Sequence, residues 1–132
     1  MTFLYDCYNA NPDSMRAALT LLANLGRGKR TIAVLGDMRE LGEKEAQLHQ
    51  EIGACVAQGG FMHFIACGKF GPYFVKGAQK AGMSADAISR ARSIPHAAQI
   101  LEKLARPGDM ILLKASRGIE IERVLKLMDE GQ

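Results

Sequence analysis

The sequence predicts an α/β domain built on an open, mostly parallel sheet of about five or six strands with helices on both faces. Short β-branched or apolar runs alternate along the chain with longer segments whose apolar residues recur at helical spacing. The run from Thr31 to Leu35 is β-branched or apolar throughout, which is typical of a strand that is covered on both faces. Most of the short runs lead into a polar or glycine-containing loop, as in successive strand–helix–strand units.

The first half of the chain is predicted to hold three strands and two helices. A short strand from Phe3 to Asp6 precedes a helix that Asn11 caps and Pro12 begins, since proline is favoured at the first helical position. Gly26 ends this helix. The elements that follow are a strand from Thr31 to Leu35, a helix from Glu43 to Gln58 and a strand from Met62 to Cys67.

The second half continues the alternation and completes a Rossmann-like layout. We expect a helix from Pro72 to Ala81, although Gly77 is a poor helix former. Next come a short strand from Ala87 to Ala91, a helix from Pro95 to the Pro107-Gly108 pair, a strand from Met110 to Leu113, and a final helix with Ile121, Val124, Leu125 and Met128 on its apolar face. In such sheets, ligands bind outside the carboxyl ends of the strands.

The length predicts one domain, residues 1–132, and the lack of a membrane-span pattern or of a secretory-signal pattern near Met1 predicts the cytoplasm. A chain of 132 residues leaves no room for a second lobe. Its residues are 48% hydrophobic and 23% charged, which is ordinary for a globular protein. The net charge of +3 is spread along the chain, so we expect no nucleic-acid partner. No apolar run approaches the roughly 20 residues of a membrane span, so we expect no membrane partner. Without CxxC spacing, Cys7, Cys55 and Cys67 are interpreted as reduced thiols, the last two in the core.

Four polar loops follow predicted strands, at residues 6–12, 36–42, 68–71 and 114–118. If the strands are parallel, these loops lie along one edge and bring together carboxylates, amides, a hydroxyl and cations. Such a set suits a ligand that carries phosphate or carboxylate oxygens. The alternative is conformational: Asn11 only caps its helix, Asp37 only makes a turn, and Lys114 with Arg117 are solvated.

Several kinds of site are excluded by the spacing of the residues. A Walker A loop needs Ser or Thr directly after its lysine, whereas Lys29 and Lys69 are followed by other residues, and no GxGxxG follows the first strand. The three histidines, His49, His63 and His96, have no second plausible ligand nearby, so we expect no metal site.

Three motifs resemble the C-terminal domain of the Mur ligase family. They are DCYNANPDSM at 6–15, GDMRELG at 36–42 with His49 and Gly53 behind it, and LKASR at 113–117. Within the family, the chain is most similar to the ligases that add D-alanyl-D-alanine to UDP-MurNAc-tripeptide. Two positions depart from the family pattern: Ala115 stands where glycine is usual, and Tyr5 stands where many members have a second acidic residue.

The resemblance implies the C-terminal part of a three-domain enzyme of peptidoglycan synthesis. An N-terminal UDP-binding domain and a central P-loop domain would complete it, and this domain would pack against the central one. In the full-length enzyme, ATP with Mg²⁺ would phosphorylate the tripeptide carboxylate, and the amine of D-alanyl-D-alanine would attack the acyl phosphate. The 132-residue chain alone is expected to fold, but neither to hydrolyse ATP nor to ligate peptide.

The resemblance also implies roles for individual residues, none of them catalytic within this chain alone. ATP contacts are expected at Asp6, Asn9 and Asn11. Contacts with the dipeptide or its carboxylate are expected at Lys114, Ser116 and Arg117, with Asp37 and Lys69 as weaker candidates on the same edge. His49 is interpreted as structural, because it lies inside a helical segment.

Two other classes of function remain open from the residues. Receiver-type regulatory modules also carry an acidic residue after the first strand and a lysine after the last, as Asp6 and Lys114 would be here. A nucleotide-binding or interaction domain without chemistry of its own is the third possibility.

Overall fold

The fold is described from a computed structural model, which covers residues 1–6, 10–116 and 119–130, and for residues 6, 129 and 130 the backbone alone. The strands are β1 (Thr2–Asp6), β2 (Thr31–Leu35), β3 (His63–Cys67), β4 (Ile88–Ala91) and β5 (Met110–Lys114). The α-helices are α1 (Pro12–Leu25), α2 (Glu45–Gln58), α3 (Gly71–Lys80), α4 (Ile94–Leu104) and α5 (Arg123–Glu130). Within these ranges, every helix is too short or too polar to cross a membrane.

The five strands form one sheet in the order β1-β5-β2-β3-β4, and all neighbours are parallel. The predicted α/β fold is therefore confirmed, with five strands in the described part of the chain. The last strand lies between the first two, so Lys114 is in register with Asp6 on one side and with Leu35 on the other. Receiver modules instead place their first strand inside the sheet. Because β1 is an edge strand here, the order argues against the receiver alternative.

Helices cover both faces of the sheet. Met15, Phe64 and Phe74 belong to the core beneath α1, α2 and α3. Leu101 and Val124 belong to the second core, beneath α4 and α5. Since β2, β3 and β5 are sandwiched between these layers, each of them is buried along its whole length, including the polar residues Thr31, His63 and Lys114 at their ends.

The N-termini of α1 and α2, which follow the loops after β1 and β2, differ in how they are capped. At α1, the Asn11 side chain accepts from the Ser14 backbone N at 2.8 Å, and the Ser14 hydroxyl accepts from the Asn11 backbone N at 3.0 Å. This capping box confirms the predicted helix start. By contrast, Glu43 lies in a 3-10 turn, Gly42–Lys44, rather than in α2. Lys44 is the N-cap of α2, and its side chain makes no capping hydrogen bond. The 3-10 turn leads directly into α2 in place of a side-chain cap.

Gly77, which lowers the helical propensity of α3, has a packing role. A Cβ atom on Gly77 would lie 1.9 Å from the carbonyl oxygen of Gln50, and one on Gly53 would lie 2.1 Å from that of Phe74. The two glycines therefore allow α2 and α3 to approach each other closely. This contact fixes α2 against α3, the helix that follows the loop after β3.

Candidate functional site

The loops after β1, β2, β3 and β5 meet at one side of the sheet, which we call the carboxyl edge. The prediction that these loops gather there is confirmed for their described residues. The loops are joined mainly by hydrogen bonds in which a side chain of one loop binds a backbone group of another. Two residues, Ser116 and Asp37, make most of these connections.

Ser116 connects three of the loops. Its hydroxyl accepts from the Arg39 backbone N at 2.8 Å and donates to the Ala10 backbone oxygen at 3.4 Å. Its own backbone N donates to the Asp37 backbone oxygen at 2.9 Å. The side chain is nearly buried, at 8% exposure. Ser116 therefore holds the loops after β1 and β2 against the loop after β5.

Asp37 connects the loop after β2 with the loop after β3. One carboxylate oxygen accepts from the Lys69 backbone N at 3.0 Å and the other from the Phe70 backbone N at 2.8 Å. These donors lie just before α3, where a helix favours negative charge. Burial raises the pKa of the Cys67 thiol to about 11, and the nearby negative charge of Asp37 adds to this shift. Cys67 is therefore a protonated core residue and not a nucleophile.

Lys114 is the cation at the centre of the carboxyl edge. Its side chain is 1% exposed, on the last residue of β5 between β1 and β2. The alternative of a solvated lysine is therefore wrong. A buried charge is screened less than one in water, and this charge lies at the end of the sheet where ligands bind in such folds.

Lys69 supplies a second, accessible cation at the same edge. Its side chain is exposed, and its Nζ atom lies 5.5 Å from the centre of the Phe70 ring. The Tyr73 ring lies 6.1 Å from that of Phe70 and is 39% exposed. This side of the edge thus presents a positive charge beside partly exposed aromatic rings.

The remaining predicted residues divide into two groups. Asn11 faces the edge as the cap of α1, and the NH₂ group of its carboxamide takes no part in the capping box. The side chain of Asp6, together with Asn9 and Arg117, lies outside the described residues. In the described ranges, no three His, Cys, Asp or Glu side chains come together in a way that could hold a metal ion.

His49, which the sequence interpretation took as a structural residue, also contacts the carboxyl edge. It is fully buried, accepts from the Met38 backbone N at 3.0 Å, and stacks on Phe70 with ring centres 4.4 Å apart. Its position on the apolar face of α2, beside Ile52 and Val56, is a signal in the sequence, because a polar ring there needs partners.

Comparisons with known proteins agree on one family. Residues 1–117 match the family described as Mur ligase, glutamate ligase domain. The chain is 38% identical over 132 residues to the UDP-N-acetylmuramoyl-tripeptide–D-alanyl-D-alanine ligase of Bacillus subtilis, covering 99% of this chain and 28% of that protein. The corresponding ligase of Treponema pallidum is 35% identical over 130 residues, covering 97% and 28%.

Solved structures give the same result. A MurF structure from Acinetobacter baumannii superposes with a TM-score of 0.80 at 30% identity, covering 96% of this chain and 28% of that one. MurF ligase from Thermotoga maritima, solved in complex with ADP, gives a TM-score of 0.74 at 26% identity, covering 97% and 28%. The chain thus spans little more than a quarter of the length of these relatives.

Proposed function

Because the chain belongs to the Mur ligase family, as a glutamate ligase domain, we propose that it serves an ATP-dependent ligase that adds D-alanyl-D-alanine to UDP-MurNAc-tripeptide. Such a ligase would work in the cytoplasm, in peptidoglycan synthesis. The observation that carries the proposal is the meeting of the three motifs at the carboxyl edge. Ser116 of the third motif bonds directly to Ala10 of the first and to Arg39 of the second.

The substrates of this reaction are anionic, and the carboxyl edge suits them. ATP and the peptide substrates bring phosphate and carboxylate oxygens, for which Lys69 and Lys114 provide positive charge and Asn11 an amide donor. The charge of Lys114 acts in a buried environment, where it is screened less than in water. We assign ATP contacts to Asp6, Asn9 and Asn11, and peptide contacts to Lys69, Lys114, Ser116 and Arg117.

Asp37 supports the edge in a different way from the cations. Both of its carboxylate oxygens bind backbone N–H groups of the loop after β3, so a substrate contact would have to share those oxygens. We therefore propose that Asp37 contributes chiefly by fixing Lys69. Mg²⁺ would enter bound to ATP, since the described side chains do not form a metal site.

The domain would act by closing against a P-loop domain that supplies the main phosphate contacts. Closure would exclude water from the acyl phosphate formed on the tripeptide carboxylate, which would otherwise be hydrolysed. The amine of D-alanyl-D-alanine then forms the amide bond and phosphate leaves. On its own, this chain brings the closing surface and its cations, and we expect no ligation from it.

The experiment is a graft into the Bacillus subtilis ligase, in which this chain replaces the aligned C-terminal region. We call the product the grafted ligase. We expect it to form the UDP-MurNAc-pentapeptide and release phosphate only when ATP, Mg²⁺, UDP-MurNAc-tripeptide and D-alanyl-D-alanine are all present. The isolated chain and the truncated ligase should each be inactive. A folded grafted ligase without activity would refute the proposal.

A further inference from the structure

We propose that His49 is a positioning residue of the carboxyl edge, which as a neutral imidazole holds the loops after β2 and β3 in the arrangement that the proposed function requires. The proposal deepens that function and rests on it only for the consequence in ligation. The loop geometry itself is testable on the chain alone.

The two ring nitrogens of His49 have fixed and different roles. Nε2 lies 3.0 Å from the Met38 backbone N, which can only donate, so Nε2 must be the acceptor. Nδ1 lies 2.6 Å from the Glu45 carbonyl oxygen, which can only accept, so Nδ1 carries the hydrogen. His49 is therefore the Nδ1–H tautomer. A proton on Nε2 would face the Met38 N–H and destroy the bond.

The bond to Met38 lies between the two connections that assemble the edge. On one side of Met38, the Asp37 carboxylate holds the Lys69 and Phe70 amides. On the other side, the Arg39 amide binds the Ser116 hydroxyl. Fixing the Met38 amide against α2 therefore sets the position of both neighbours. The predicted substrate residues Lys69 and Ser116 are reached through these two bonds.

Packing holds the ring in the orientation that these bonds need. The His49 ring stacks on Phe70 at 4.4 Å and meets the edge of Phe74 at 4.9 Å. Phe70 is also a residue whose amide binds Asp37, so the imidazole contacts both loops that Asp37 joins. One side chain of α2 thus contacts two loops of the carboxyl edge directly.

The ring is kept neutral by its surroundings. Burial lowers the pKa of His49 below its usual value, although the Glu45 carbonyl and the negative charges of Asp37 and Glu45 oppose this shift. The α3 side of the ring is formed by Phe70 and Phe74, which carry no charge. The neutral acceptor form is therefore the one present at neutral pH.

The first test measures the tautomer and the loop amides of the isolated chain by nitrogen-15 NMR and hydrogen exchange. We expect a protonated Nδ1 and an unprotonated Nε2 at pH 7.5. In His49→Phe, which keeps an aromatic ring but removes the acceptor, exchange of the Met38, Arg39 and Phe70 amides should accelerate about tenfold more than that of Ile65 in β3. His49→Gln, which can restore an acceptor, should recover part of the protection.

His63→Gln is the matched control, because His63 is also buried but lies at the other end of β3. In this variant, the exchange rates of the Met38, Arg39 and Phe70 amides should stay within about twofold of the wild-type rates. An Nε2–H tautomer in the wild type would overturn the proposal, and that measurement needs no variant to fold. Equal acceleration of all amides in His49→Phe, or none, would also overturn it.

The second test uses the grafted ligase. We expect His49→Phe to raise KM for D-alanyl-D-alanine or to lower kcat by about tenfold, with His49→Gln intermediate and His63→Gln unchanged. An inactive wild-type graft would be a failure of the proposed function alone. An active graft that tolerates His49→Phe would instead refute the positioning role.

Discussion

Gly36 and Ala115 lie side by side directly after β2 and β5, so close that a Cβ atom on Gly36 would be 2.8 Å from the Ala115 Cβ. Ala115 is fully buried. The methyl group at the position where the family usually has glycine is thus accommodated by the absence of a side chain on its neighbour. Because Ala115 lies between Lys114 and Ser116, this contact affects the carboxyl edge.

This contact predicts a compensating pair of substitutions. Gly36→Ala should lower the free energy of unfolding by about 2 kcal/mol, because the new methyl group overlaps that of Ala115. Ala115→Gly alone should cost about 1 kcal/mol through lost packing and greater chain entropy. The double variant should be more stable than the sum of the two effects by about 1 kcal/mol. Urea unfolding measures all four forms, and strict additivity would show that the two positions do not interact.

The Asp37 carboxylate predicts a stability effect that is independent of any substrate. Asp37→Ala leaves the Lys69 and Phe70 amides without their acceptor and should lower the free energy of unfolding by about 2 kcal/mol. Asp37→Asn keeps one acceptor oxygen and should cost about half as much. Urea unfolding gives the stabilities, and hydrogen exchange locates the change. Unchanged protection of the Phe70 amide in Asp37→Ala would contradict the assigned role.

A further prediction concerns the opposite end of the sheet, where Arg30 and Asp109 pair. The Arg30 Nε atom lies 3.0 Å from an Asp109 oxygen, although its N–H is not aligned as a hydrogen bond, and Arg30 Nη2 donates to the Leu104 carbonyl at 3.0 Å. Asp109 is 2% exposed. Arg30→Ala should cost roughly 2 kcal/mol, because it leaves a buried carboxylate without its cation, while the partial exposure of Arg30 moderates the loss.

Arg16→Ala is the control for that prediction. Arg16 pairs with Asp13 at 3.4 Å and Glu51 at 3.6 Å, but all three side chains are well exposed. Its replacement should change the free energy of unfolding by less than about 1 kcal/mol. If the two arginine variants lose equal stability, the burial of Asp109 has no energetic consequence.

Two buried histidines predict how stability changes with pH. Burial lowers the pKa of His63 as well as that of His49 from 6.5. The unfolded chain therefore binds protons at a pH where the folded chain does not, so stability is complete above about 6.5 and falls as pH decreases through the folded pKa values. Urea unfolding at pH 7.5 and 5.5 should show the lower stability at pH 5.5. A His49→Gln, His63→Gln double variant should lose less stability between these two pH values. If it loses as much as the wild type, the two histidines are not the cause of the pH dependence.

The periodicity of the sequence was sufficient to predict the strands and helices, apart from the start of α2, and the edge of the sheet at which the candidate site lies. The Thr31–Leu35 run, β-branched or apolar throughout, is typical of a strand covered on both faces, and parallel strands place their following loops together. The strand order was not predictable, because the insertion of β5 between β1 and β2 depends on long-range packing.

The connections within the site were also beyond sequence reasoning. Asp37 and Ser116 were chosen as polar residues at strand ends, but their hydrogen bonds go to backbone groups, some of them more than 30 residues away. A pattern of residue types cannot show such partners. Similarly, the sequence showed only that Gly77 lowers the helical propensity of α3. The structure shows why glycine is needed there, because the Gln50 carbonyl of α2 leaves no room for a side chain.

The most direct test of the central claim compares two lysines in the grafted ligase. Lys114→Met removes the buried cation of the carboxyl edge with little change in size, and Lys103→Met removes an exposed cation on α4, away from that edge. With ATP-dependent formation of UDP-MurNAc-pentapeptide as the readout and thermal unfolding as the check on folding, Lys114→Met should be slower by about a hundredfold. Lys103→Met should match the wild type. Equal rates for two folded variants would contradict the claim that this edge of the sheet binds the reacting substrates.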